Sequence, residues 1–139
     1  MIQAVGDDLT LFRVQNGTSG PMMGLDDRYR SLGGGDCQGA VTDMLLAGLP
    51  VARDTRRMFP PLRPEQVAIG LPASTQAGNG HTPPAQVAQA LDCLTKGTGC
   101  GSYRTHGRWP GLRGLMTWSI NWDRFNGGEF SRSFDAYWP

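Results

Sequence analysis

Three short apolar segments, each followed by a long glycine-rich loop and a helical pattern, constrain the fold of this 139-residue chain more than any other feature. They cover residues 9–15, 67–71 and 114–120. Strand, loop and helix repeated in this order are typical of parallel strands joined by right-handed crossovers. The second and third segments are almost continuously apolar, which favours strands covered on both faces. The sequence therefore predicts an α/β fold with a parallel sheet.

Helical patterns follow each of these segments. Asp36 is placed to cap a first helix that ends at Gly48, and Thr82 with Pro83 and Pro84 signals the start of a second. The Pro-rich segment 50–66 is expected to return along a helix to the second strand. The apolar faces comprise Ala40, Val41, Met44 and Leu45 in the first helix, Val87, Ala90, Leu91 and Leu94 in the second, and an aromatic stripe of Phe130, Phe134, Tyr137 and Trp138 near the end.

Composition and charge exclude several classes of protein. Thirteen basic and twelve acidic residues leave a formal net charge of +1, and the basic residues are scattered, so no nucleic-acid partner is expected. No apolar run approaches the roughly 20 residues of a membrane span, so no membrane partner is expected either. The first three residues show neither the basic nor the apolar region of a signal peptide. We expect one soluble domain over residues 1–139.

Three cysteines raise the question of a disulfide. Cys93 and Cys100 flank a short glycine-containing loop that can bring their Cα atoms within bridging distance, and a bridge would stabilise by roughly 2 kcal/mol. Two free thiols are the alternative. Cys37 is then the odd cysteine, expected to be buried. With two histidines and no second Cys-x-x-Cys, the sequence indicates no zinc or other metal site, and no cofactor.

Three blocks carry a family resemblance: "EQVAIGLPAS", "QALDCLTKGTGCGSYR" and "GLMTWSINWDRFN". In this order they resemble the C-terminal part of a bacterial family 18 glycoside hydrolase, a chitinase, and the likeness extends from about Leu9 to the end. The resemblance implies a partial (β/α)8 barrel made of its last three βα units, with parallel strands. It also implies chitin or a chito-oligosaccharide, built of β-1,4-linked N-acetylglucosamine, as the ligand, and a secreted protein.

The resemblance also implies roles for particular residues. Trp118, at the end of the third strand, matches the tryptophan that forms the apolar floor under the sugar, and a flat aromatic ring suits the C–H face of a pyranose. Met116 points the same way in a strand, and Gln15 ends the first strand as a polar group for the substrate. Asn121 and Asp123 are candidates to bind sugar hydroxyl groups, although capping the next helix is the alternative.

The chain departs from the family at the reacting centre. Family members carry their acid in a D-G-x-D-x-D-x-E motif, and this sequence contains no such motif. The tyrosine–asparagine pair that in the family usually follows the glutamine matched by Gln15 is replaced by Asn16, Gly17 and Thr18. We therefore assign no catalytic residue and expect the chain alone to be inactive. The alternatives are a non-catalytic oligosaccharide-binding module, and a barrel fragment that forms a homo-oligomer or pairs with a complementing barrel segment.

Overall fold

The computed structural model describes residues 6–16, 20–52, 54–135 and 137. The strands are β1 (Phe12–Gln15), β2 (Met22–Met23), β3 (Tyr29–Arg30), β4 (Leu49–Val51), β5 (Asp54–Phe59), β6 (Val67–Pro72) and β7 (Gly114–Trp118). The helices are α1 (Gly35–Ala47), α2 (Pro84–Lys96), α3 (Ile120–Phe125) and α4 (Glu129–Asp135), and short 3₁₀ turns cover Pro64–Gln66 and Thr75–Ala77.

The three predicted strands form one parallel sheet in the order β1–β6–β7. The prediction of an α/β fold with a parallel sheet is confirmed. Strand β6 lies in the centre and is buried along its whole length, whereas β7 alternates between covered and open positions. Ile120, expected at the end of the third strand, is instead the first residue of α3 and is 72% exposed.

The core lies on one face of this sheet. Side chains that alternate along β1 and β6 point to that face, where they pack against α1 and α2. The apolar spacing predicted for α2 is confirmed, because all four residues of its predicted face are buried. The buried core comprises Val14, Cys37, Val41, Leu46, Leu62, Val67, Ile69, Leu71, Val87, Leu91, Leu94 and Leu112.

The predicted N-cap of α1 is wrong, whereas the start signal of Thr82, Pro83 and Pro84 is confirmed because α2 begins at Pro84. Gly34 occupies the N-cap of α1, and Asp36 lies inside its first turn, where its carboxylate accepts hydrogen bonds from the backbone N–H (3.0 Å) and the hydroxyl of Ser102. Pro83 precedes α2, and Thr82 is buried with its hydroxyl held by Gln38 Nε2 at 2.5 Å. Both polar side chains bind other parts of the chain, which sequence spacing does not reveal.

The segment after α1 differs from expectation. Instead of running along a helix, it forms an antiparallel hairpin of β4 and β5. Its turn places Ala52 at a φ of 53°, and much of β5 is exposed. The hairpin precedes β6 in the chain, with the 3₁₀ turn Pro64–Gln66 between them.

One buried carboxylate fixes the long loop between α2 and β7 to α1. Asp43 is fully buried and accepts hydrogen bonds from the side chains of Tyr103, Thr105 and Trp109 at 2.7–2.9 Å. The backbone N–H of His106 and its ring Nδ1 add two contacts at 3.0 and 2.8 Å. Since this loop leads into β7, these contacts hold the entry to the edge strand.

A disulfide closes the start of the same loop. Cys93 and Cys100 are bonded, with their Cα atoms 4.7 Å apart. Cys37 is a buried free thiol. Burial raises the pKa of that thiol, so it stays protonated and unreactive at neutral pH.

The Asp43 contacts predict an acid-sensitive stability. Burial by itself raises the pKa of the Asp43 carboxyl, but the donors from Trp109, His106 and Tyr103 outweigh burial and hold that pKa below its ordinary value. The stabilisation is therefore fully present above the unfolded pKa of about 3.9 and is lost as pH falls through the folded pKa. Asp43→Asn should lower the free energy of unfolding by about 2–3 kcal/mol at pH 7, measured by urea denaturation.

The same variant should also show a shallower loss of stability between pH 5 and pH 2 than the wild type does. Asp54→Asn, on the exposed hairpin, is the matched control and should behave like the wild type at pH 7. An Asp43→Asn variant as stable as the wild type at pH 7 would contradict this account.

Candidate functional site

A cavity of about 250 Å³ opens at the carboxyl ends of β1, β6 and β7. Parallel pairing places successive residues of the three strands at matching levels, so Gln15 lies beside Gly70 and Gly70 beside Met116. One level higher, Pro72 pairs with Trp118. The cavity therefore lies on the sheet face opposite the core, and its lining comprises Arg13, Gln15, Gly70, Leu71, Pro72, Ala77 and Trp118.

Trp118 forms an exposed aromatic wall of this cavity. It is the last residue of β7, and 64% of its surface is accessible. The backbone carbonyl of Trp118 accepts a hydrogen bond from Ala73 N–H at 2.9 Å, which fixes the strand end against the loop after β6, and the Trp118–Ser119 peptide bond is cis. An indole held by its backbone and open on its face can stack on a ligand.

Gln15 and Met116 lie on the same sheet face as Trp118, at the level of Gly70. Gln15 lines the cavity, and its Oε1 accepts a hydrogen bond from Arg13 at 3.4 Å. Met116 is 38% exposed. The structure thus brings together three of the five residues that the sequence resemblance singled out.

The remaining two lie on α3. Asn121 is exposed, whereas Asp123 is 6% exposed and its Oδ1 accepts the backbone N–H of Phe130 at 2.9 Å. Ser131 N–H lies 3.4–3.5 Å from the same carboxylate. For Asp123 the structure fits the capping alternative: its carboxylate holds the first turn of α4.

One acidic residue of the segment between β1 and α1, Asp26, forms an ion pair. Asp26 binds Arg30 through both carboxylate oxygens, at 2.9 and 2.6 Å. This pairing lowers the pKa of Asp26 to about 2. A general acid needs a pKa near the working pH, whereas the pKa of Asp26 is shifted in the other direction, so Asp26 is unsuited to that role.

Sequence reasoning missed Arg13 and Gly70 as parts of the cavity. Arg13 is a single charged residue in an otherwise apolar strand, and the sequence does not show to which face of the sheet its side chain points. Gly70 resembled an ordinary strand residue. Nothing in the sequence indicated that Ala77, in the loop after β6, would line the cavity. The period-two alternation from Gln15 back to Arg13 is the signal that could have placed Arg13 on the same face.

The described residues contain no group of three or more His, Cys, Asp or Glu side chains arranged to hold a metal ion. The helices of the described part are also too short or too polar to cross a bilayer.

The capping contact of Asp123 predicts a local effect on stability. Asp123→Ala removes the acceptor for the α4 amides and should lower the free energy of unfolding by about 1 kcal/mol, measured by chemical denaturation. Asn121→Ala, two residues away and exposed, should change it by less than about 0.5 kcal/mol. Equal stabilities of the two variants would remove the structural role assigned to Asp123.

Comparison with known proteins finds chitinases. The chain is 64% identical over 137 residues to Exochitinase 1 of Streptomyces olivaceoviridis, a match that covers 99% of this chain and 23% of that protein. It is 46% identical over 137 residues to Chitinase D of Niallia circulans, with coverages of 96% and 26%. No profile of a known protein family matches the chain.

A solved family 18 chitinase from Chromobacterium violaceum superposes with a TM-score of 0.89 at 39% identity, covering 97% of this chain and 37% of that structure. The chain thus spans well under half the length of these relatives. The resemblance seen in the sequence is confirmed: over nearly its whole length this chain is similar to chitinases, including a solved family 18 chitinase, as is consistent with a C-terminal portion of such a protein.

Proposed function

We propose that this chain forms the last three βα units of a (β/α)8 barrel, a partial chitinase-like catalytic domain over residues 1–139. The three strands are parallel, adjacent and in chain order, as consecutive barrel strands are. The candidate cavity lies at their carboxyl ends, the side on which barrel enzymes build their active sites. The similarity to chitinases over nearly the whole chain supports the same assignment.

The ligand we propose is chitin or a chito-oligosaccharide, and the observation that carries this proposal is the exposure of Trp118. A large aromatic side chain at a strand end is usually covered, yet this indole is 64% exposed beside a cavity. A pyranose ring offers a face of C–H groups to such a surface. Gln15 and Met116, one level lower on the same sheet face, would extend the contact with the sugar stacked on Trp118. Asn121, three residues after Trp118, would bind a neighbouring sugar.

We infer that the chain does not hydrolyse chitin by itself. Family 18 chemistry needs a carboxylic acid that protonates the leaving oxygen while the substrate's N-acetyl group attacks the anomeric carbon. The acid motif is missing from this sequence. The described lining of the cavity contains no carboxylate that could take over the proton transfer. The acid would have to come from another segment.

Secretion is part of the same proposal. A disulfide such as Cys93–Cys100 persists in oxidising compartments and is rare in the cytosol. The similar proteins are named chitinases, and chitinases are typically secreted, which supports the same proposal.

Binding without hydrolysis is the expected behaviour of the purified chain. Chitotetraose should shift the indole N–H signal of Trp118 in a ¹⁵N–¹H spectrum, with weak affinity because only part of a site is present. Reducing-end assays on the same sample should show no cleavage. Trp118→Ala should weaken binding at least about tenfold, as expected for the loss of an aromatic stacking surface.

Phe125→Ala is the matched control, because Phe125 is also a large exposed aromatic residue (70%) but lies outside the described cavity lining. Its affinity for chitotetraose should equal that of the wild type. Cleavage by the wild-type chain that disappears in Trp118→Ala would overturn the inference of inactivity. Unchanged affinity in Trp118→Ala would overturn the proposed sugar site.

A second candidate function, association with another chain, is favoured by the edges of the sheet. Among the described strands β1 and β7 each have one hydrogen-bonded neighbour, so each leaves an open edge. Open edges bind further strands readily. The partner would be a complementing barrel segment or a second copy of this chain.

Light scattering tests this candidate. If the chain associates with itself, the molar mass measured in solution should be a multiple of 15.0 kDa, and that molar mass should decrease when the protein is diluted. A monomer that becomes a 1:1 complex when the preceding part of a homologous barrel is added would support complementation instead. If the chain is a monomer and does not bind the added segment, both forms of association are excluded.

A further inference from the structure

We propose that Arg13 adapts the cavity beside Trp118 to an anionic saccharide, one that carries a carboxylate or sulfate group next to the ring stacked on the indole. This inference rests on the proposed function, because it requires a sugar on Trp118. It goes beyond that function by assigning a charge to the ligand, whereas chitin is neutral.

The position of Arg13 follows from the sheet register. Arg13 pairs with Ala68, and Ala68 pairs with Gly114, so its neighbours at the same level are small. One level higher lies Gly70. A Cβ added there would lie 2.6 Å from Arg13 Cδ and 2.7 Å from Cγ. The aliphatic part of Arg13 therefore crosses β6 directly over Gly70, in space that any side chain at position 70 would fill.

From there the side chain continues toward the ligand end of the sheet. Its Nη2 reaches Gln15 Oε1 at 3.4 Å, and Gln15 is the last residue of β1. Arg13 and Trp118 both line the same cavity of about 250 Å³. A ligand stacked on the indole would thus share its cavity with a guanidinium group.

The charge of Arg13 is not neutralised by the described residues. Three other arginines have carboxylate partners: Arg30 pairs with Asp26, Arg56 with Asp54, and Arg63 with Glu65. Within the described part of the chain Arg13 forms no ion pair, and its hydrogen bond goes to the neutral amide of Gln15. The other lining residues that the structure describes are uncharged, so the described part of the lining is cationic.

An unpaired guanidinium is a binding group for oxyanions. It offers a fork of N–H donors that matches a carboxylate or sulfate, and charge-assisted hydrogen bonds are about twice as strong as neutral ones. A neutral sugar would leave Arg13 bound only to Gln15 and water. An acidic sugar on Trp118 would gain that interaction, so the aromatic wall and the cation together favour an anionic ligand.

A pair of disaccharides that differ by one acid group provides the test. Chitobiose and the β-1,4-linked disaccharide of N-acetylglucosamine and N-acetylmuramic acid share a backbone, and the second carries an added lactyl carboxylate. Chitobiose 6-O-sulfate tests the sulfate alternative. The Trp118 indole signal of the full chain, assigned with Trp118→Phe, should give an affinity about tenfold higher for at least one acidic disaccharide. Added salt should reduce that preference.

In Arg13→Gln the acidic and neutral disaccharides should bind equally. Arg13→Lys keeps the charge and the aliphatic stem without the planar fork, so it should keep part of the preference. Arg104→Gln, which removes an exposed arginine outside the described cavity lining, should leave the preference intact and controls for net charge.

The failures are distinguishable. If no disaccharide shifts the Trp118 signal, the proposed sugar site itself fails. If chitobiose binds but the acidic disaccharides bind no better, or if Arg13→Gln keeps their advantage, the role of Arg13 is overturned and the sugar site stands. Should Arg13→Gln fail to fold, the salt dependence of the wild type and the behaviour of Arg13→Lys still decide the question.

Discussion

The parallel pairing of β6 with a strand on each side is the interaction on which the rest of this structure depends. Strand β6 is buried from Val67 to Pro72, and its hydrogen bonds set the levels of both neighbours. One of its faces supplies the core through residues such as Ile69, and the other exposes the cavity around Gly70. The core and the candidate site thus lie on opposite faces of the same three-stranded sheet.

Much of the fold could be predicted from the sequence, since it rests on local patterns. The apolar run of β6 and the helical spacing of α2 each carry their own signal, and the exposed end of β7 was marked by Trp118. The hairpin of β4 and β5 was missed because prolines and charged residues obscure its alternation. The predicted cap of α1 failed for another reason: Asp36 binds Ser102, which lies far away in the chain, and local rules cannot detect such a partner.

The candidate site could be predicted only in part, because some of its residues are brought together by contacts between distant segments. Gln15 and Trp118 end their strands and were found, whereas Arg13 needs the strand register to be seen as a cavity residue. Asp43 was missed altogether, because an acidic residue in a helix ordinarily faces water. Its donors lie about sixty residues later, from Tyr103 to Trp109. Buried polar clusters of this kind follow from the folded chain and not from any segment of it.

The contact between Arg13 and Gly70 has a consequence for the evolution of this segment. A methyl group at position 70 would overlap the stem of the arginine, so the two positions are linked by size. A side chain at 70 would force the stem of Arg13 to move, and the backbone carbonyl oxygen of Val14, 3.1 Å from the added Cβ, would still crowd it if residue 13 were shorter. Homologous chains that keep a long side chain at 13 should therefore keep glycine at 70, which ties the shape of the cavity to the absence of a side chain there.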